Sequence, residues 1–198
     1  MAVTGRVPSH SLVLIIVISA AILLIAALGD YGRDLLRYER EAVLAGAGWR
    51  LLTAHLAHLG WGHTILNLIG LWLAFSLFGD GLQLRQWAAA MAGALISIDL
   101  VFLLLLPQLQ WYVGLSGVLH GLFAIGALQW MLQRDKHGYL LALLLAAKLA
   151  WEQLVGAVPL SAASAGGPVV VDAHLAGTVG GLLGGFVVLL RDWTARRR

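Results

Sequence analysis

Long apolar runs free of charge alternate along this chain with short polar breaks, and the alternation predicts its elements. Ser11 to Gly29 carries no charged residue and is rich in Leu, Ile and Val. At about 1.5 Å per residue such a run crosses a hydrocarbon core of about 30 Å. Charge-poor runs over about 61–79, 86–106, 116–133, 139–155 and 172–190 repeat the pattern, which predicts six membrane helices. Between the first two lies Tyr31 to Leu52, where Arg33, Asp34, Arg37, Glu39, Arg40 and Glu41 mix with Leu35, Leu36, Tyr38 and Trp49. That mixture cannot span, but it can lie in the membrane interface. Pro107 ends the third run, and Gly156 to Val171, with Pro159, Ser161, Ser164, Gly166, Gly167 and Pro168, predicts a mobile loop. A cleaved leader is the rival reading of the first run, since Arg6 precedes it and Ala26 and Ala27 are small.

Composition agrees. With 198 residues, 60% hydrophobic and 12% charged, and a mean hydropathy of +0.86, the chain reads as one all-α membrane domain. Cysteine is absent, so no disulfide framework or thiolate metal site exists, and neither a cofactor nor a metal is expected. No basic, aromatic-interleaved patch suits nucleic acid. With six spans, Arg6, Arg85, Arg134, Lys136, Arg191, Arg196, Arg197 and Arg198 fall on one face, while Arg33, Arg37, Arg40 and Arg50 on the other are balanced by Asp30, Asp34, Glu39 and Glu41. The positive-inside bias then puts both termini in the cytoplasm and Ser116, His63 and His174 near the outer ends of their helices.

That common depth gives the polar residues a meaning. Ser116 lies between Gly114, Leu115 and Gly117 at the start of an apolar run, where backbone can approach closely and the helix N-terminus leaves N–H groups unpaired. Gly177, Gly181 and Gly185 follow His174 at +3, +7 and +11, while Gly117 and Gly121 flank Ser116 and His120. Grooves of small residues let two helices pack tightly, which would bring imidazole to hydroxyl. Ser116 then reads as a nucleophile and His174 as its general base and acid. His63 and Asn67, at i and i+4, share a helix face. They can add side-chain donors to the backbone N–H groups of Ser116 and Leu115 in an oxyanion pocket. The bland alternative is that these groups are interhelical glue.

Trp49 to Thr53, His58, His63 to Asn67, Gly114 to Gly117 and Ala173 to Gly177 together resemble the rhomboid intramembrane serine proteases, over residues 49 to 185 and in the same order. The resemblance implies a six-helix rhomboid-type bundle with an interfacial segment between helices 1 and 2, and a Ser116/His174 dyad in a wet cavity open to the outer face. It implies an oxyanion pocket at His63 and Asn67. In bacterial rhomboids the position four after the serine is often a Tyr stacked on the catalytic imidazole; here it is His120. Trp111 to Val113, Leu119 to Gly121, Ala147, Lys148, Trp151 and Glu152 look like the rhombosortase subfamily. For that group the implied substrates are membrane-anchored exported proteins with a C-terminal tail of Gly-Gly motif, membrane helix and basic end. The implied outcome is removal of the tail, with transfer to an amine or lipid acceptor as an extension, in a bacterial inner membrane.

Several residues keep two readings. Asp172 and Asp99 are the candidates to orient His174 as a third member, Asp172 being more simply a helix cap. Lys148 and Glu152, one turn apart, read as an internal pair that spares desolvation or as a contact to substrate or acceptor. His55 and His58 read as structural donors to the interfacial segment. A catalytically silent rhomboid-like chaperone is the competing function, and a solute transporter lacks internal repeats.

Overall fold

The computed structural model describes residues 9–159, 161, 163 and 166–195. Arg6, Arg196, Arg197, Arg198 and Ser164, which enter the orientation and loop expectations, lie outside the described residues. Helix α1 covers Ser9–Ala27. The polar break that follows folds into α2 (Gly29–Leu36), α3 (Arg40–Leu44) and α4 (Arg50–Thr53), as short as its mixed pattern requires. Then come α5 (Trp61–Phe78), α6 (Leu84–Leu104), α7 (Ser116–Leu132), α8 (Lys136–Leu154) and α9 (Val171–Ala195). These bounds stay within a few residues of the apolar runs.

Among the described residues, four helices are long and apolar enough to cross a membrane: α1, α5, α6 and α9. Helix α7 is apolar but has 17 residues, and α8 carries Lys136, Lys148 and Glu152. The surface explains the composition. Leu24, Leu104, Leu143, Leu183 and Val187 are exposed on the outer helices, where hydrocarbon is their natural surrounding. By contrast α7 is walled in, with Val118, Leu122 and Ile125 fully buried.

Local signals set the ends. Gln83 and Gln86 form a reciprocal capping box at the start of α6, with the Gln83 N–H 2.9 Å from Gln86 Oε1. Asp135 caps α8 by accepting from the His137 N–H at 2.9 Å. At the far end of α6, Arg40 donates to the carbonyls of Phe102 (2.9 Å) and Leu103 (3.2 Å), satisfying two of the orphan acceptors of the last turn.

The all-α expectation needs one amendment. Tyr38–Glu39 (β1) and Trp111–Tyr112 (β2) form a two-residue antiparallel ladder, pairing Tyr38 with Tyr112 and Glu39 with Trp111. Arg40 N–H to Gln110 carbonyl, at 2.8 Å, extends it. The interfacial segment is thereby fastened to the stretch that leads into α7.

Candidate active site

Helix α7 begins at Ser116, and the approach to it is fixed by several bonds. The Gly114 N–H donates to the Ala54 carbonyl at 3.0 Å, and the Tyr112 hydroxyl donates to the Gly114 carbonyl at 2.8 Å. Gly114 has φ +130°, a region that favours glycine. A Cβ there would also lie 2.9 Å from His63 Cε1, so the imidazole edge occupies the space a side chain would need. Burial raises the Tyr112 hydroxyl pKa and Asp99 adds to the rise, with the neighbouring Ser116 side chain and Gly117 backbone opposing it; the phenol stays protonated and serves as a fixed donor.

His174 stands in the first turn of α9, and glycine brings it to α7. A Cβ on Gly117 would sit 2.6 Å from the Ala173 carbonyl oxygen, and one on Gly121 would sit 2.6 Å from that of Gly177. With no side chains between them the backbones meet. Ser116 Oγ consequently lies 2.9 Å from His174 Nε2, across 58 residues of sequence. A second row of small residues, Gly180 and Gly184 against Gly93, presses α9 onto α6.

The surroundings of His174 are polar and ordered. Its Nδ1 is 2.9 Å from Glu152 Oε2, and Lys148 Nζ is 2.6 Å from Glu152 Oε1. Lys148 Nζ is also 2.9 Å from His120 Nε2, and His120 Nδ1 is 2.7 Å from the Ser116 carbonyl oxygen. The rings of His120 and His174 stack with centroids 4.1 Å apart and planes 14° apart, so the histidine at the usual Tyr position holds the imidazole by the same kind of contact.

A cavity of about 540 Å³ opens over this cluster, lined in part by His63, Asn67, Ser116, His120, Lys148 and His174. A second, apolar cavity of about 320 Å³ between α7 and α8 also reaches Ser116, His120 and Lys148. His63 Nδ1 is 3.4 Å from the Leu59 N–H; accepting there leaves Nε2 as the ring's donor. Asn67 Nδ2 gives one bond to the His63 carbonyl at 3.0 Å, leaving its second amide hydrogen. Leu115 precedes the first helical residue, and the N–H groups of the opening turn have no intrahelical acceptor. His58 packs edge-on against His63 at 4.9 Å and donates from Nδ1–H to the Leu56 carbonyl, 3.1 Å away. Burial, then the nearby His63 charge, lowers its pKa to about 3 against the opposing Leu56 carbonyl.

The third-member candidates are corrected. Asp99 is 3.4 Å from His55 Nε2, so it serves a different histidine. Asp172 lies inside the first turn of α9, one residue past the start it was expected to cap. The carboxylate at His174 is Glu152, for which the sequence offers a pair with Lys148 or a contact to substrate or acceptor but no role at His174. Nothing in one dimension joined it to His174, although a glutamate within an apolar helix was itself the signal. His120, Glu152 and His174 present ligand atoms within 4.8 Å of one another. Each is already hydrogen-bonded, and the Lys148 ammonium occupies the space between Glu152 and His120, so the set suits protons better than a metal ion.

The helices and their lipid-facing surface define a multi-pass, all-helical membrane protein in which a serine and a histidine from separate helices meet beside a cavity. The model of the rhomboid domain family matches residues 45–191. The chain belongs to the rhomboid family, whose members are in general intramembrane serine proteases. Among curated proteins no sequence matches it.

Proposed function

We propose that the protein is an intramembrane serine endopeptidase with Ser116 as nucleophile and His174 as base. The single observation that carries this reading is the 2.9 Å contact of Ser116 Oγ with His174 Nε2 at the wall of the cavity. His174 takes the hydroxyl proton as Oγ bonds to the scissile carbonyl carbon. It then returns that proton to the departing amine as the C–N bond breaks. The oxyanion is met by the N–H groups of Ser116 and Leu115 and by His63 and Asn67. Water, or an amine, attacks the resulting ester and frees the serine.

The finer reading is a rhombosortase: six spans with α7 and α8 included, one domain over 1–198, both termini in the cytoplasm of a bacterial inner membrane, and the site near the outer face. Its substrates are exported proteins with a C-terminal Gly-Gly, helix and basic tail. The apolar cavity beside Ser116 supports a lipid or amine acceptor for the new carboxyl end. Gly114 and Gly117 make room at the serine, and His58 backs His63.

The test uses the purified full chain in proteoliposomes with a single-span reporter bearing such a tail. Ser116→Ala and His174→Ala abolish cleavage while the folded protein accumulates, and a fluorophosphonate labels Ser116 only when His174 is present. Full activity in Ser116→Ala refutes the proposal, and a wild-type chain that neither cleaves the reporter nor takes the fluorophosphonate label favours a silent helix-binding protein.

A further inference from the structure

We infer that Glu152 is a positioning residue that orients His174 as the third member of a Ser116–His174–Glu152 triad, held in its anionic, correctly turned form by Lys148 and His120. The inference rests on the protease reading above and adds a role for a side chain buried under the site.

The proton positions follow from the donors. To draw off the Ser116 proton, His174 Nε2 must hold a lone pair, which puts the ring hydrogen on Nδ1. Nδ1–H then faces Glu152 Oε2 at 2.9 Å and needs an acceptor there, which a carboxylate supplies. The other oxygen, Oε1, accepts from Lys148 Nζ at 2.6 Å. An ammonium has donors only, so His120 Nε2, 2.9 Å from Nζ, accepts and its hydrogen sits on Nδ1. From Nδ1 it donates to the Ser116 carbonyl at 2.7 Å. The ring of bonds begins and ends on Ser116, and each link has one donor and one acceptor.

A purely structural pair does not need this arrangement. Lys148 precedes Glu152 by four residues, the weaker order for helix stability. The Glu152 side chain is fully buried, which is unfavourable for a carboxylate unless it is paired on each oxygen. One of those pairs is aimed at the imidazole nitrogen opposite the serine. The parallel His120 ring, 4.1 Å away, restrains rotation of His174 about its side-chain axis. Lys148 borders both cavities and its side chain is only partly buried, so its charge keeps an open side while it neutralises Glu152 on the other.

The experiment compares Glu152→Gln, the double variant Glu152→Gln with Lys148→Met, and Ser116→Ala. Readouts are kcat and KM for reporter cleavage, the rate of fluorophosphonate labelling, and thermal unfolding. In Glu152→Gln the Lys148 ammonium draws the amide oxygen, so the NH2 group faces His174 and selects the wrong tautomer. Expected is a loss of about 10²–10⁴ in kcat and labelling with KM and unfolding temperature little changed. Removing Lys148 in the double variant frees the amide oxygen to turn to Nδ1–H and recovers at least about tenfold. A kcat in Glu152→Gln equal to wild type, with Ser116→Ala inactive, overturns the triad and leaves the protease reading standing. Activity lost in step with unfolding temperature, without recovery in the double variant, also overturns it. If Glu152→Gln does not accumulate folded, Glu152→Asp carries the test: a slower labelling rate at unchanged KM supports the role, and an unchanged rate overturns it. Cleavage surviving in Ser116→Ala instead removes the protease reading itself.

Discussion

Gly114→Ala probes whether His63 assists at the serine. The residue holds φ +130°, where a side chain costs on the order of 1–3 kcal/mol. The added methyl would stand 2.9 Å from His63 Cε1 and 3.1 Å from Nε2, tight enough that the ring must shift by tenths of an ångström. The imidazole is a flat group carried on its own rotor, so it moves more readily than the backbone that the Ala54 and Tyr112 bonds hold. If Nε2 is an oxyanion donor, displacing it removes about 3–4 kcal/mol of transition-state stabilisation, a fall of about 10²–10³ in kcat. The assay is reporter cleavage in proteoliposomes by wild type, Gly114→Ala, His63→Ala and the pair. With the ring already gone the methyl has nothing to displace, so the pair should be no slower than His63→Ala beyond about threefold. A Gly114→Ala enzyme within about threefold of wild type, or losses that simply add in the pair, would refute the reasoning.

Two further outcomes concern the frame. Arg40→Ala strips the Phe102 and Leu103 carbonyls of their donor and should cost about 2–3 kcal/mol of stability; thermal unfolding in detergent reads it, and an unchanged midpoint contradicts the capping role. His58 keeps its folded pKa at about 3 against 6.5 when free. Between those values the unfolded chain holds the extra proton, so stability is full above about pH 6.5 and declines as pH falls towards about 3. Unfolding midpoints measured from neutral pH downward should fall more steeply in wild type than in His58→Asn, and parallel slopes would count against it.

Much of this architecture is legible in one dimension because burial in lipid leaves a coarse mark. Runs such as Ser11 to Gly29 and the i, i+4 pair His63 and Asn67 encode span and face directly. The glycines at +3, +7 and +11 from His174 pointed to the contact with α7, and the rule that found them applies equally to Gly180 and Gly184, whose partner Gly93 went unread. Other features have no local signature. The Tyr38 to Tyr112 pairing joins two residues from segments far apart, too few for any alternation to show. Glu152 was visible as a charge in an apolar helix, but which neighbour it faced depends on how α8 is rotated against α9. Periodicity does not fix that rotation, so the sequence offers Asp172 and Asp99 instead, the first more simply a cap and the second bonded in the fold to His55.

The ladder between β1 and β2, with the Ala54 and Gln110 carbonyl bonds beside it, has a final consequence for how encounters begin. The Ser116 hydroxyl is moored by its leading strand on one side and by a packed helix on the other, so its aim is settled when the chain folds. For the protease reading proposed above, a bound polypeptide would meet a hydroxyl already aimed, so the ordering left to complete falls mainly on the polypeptide.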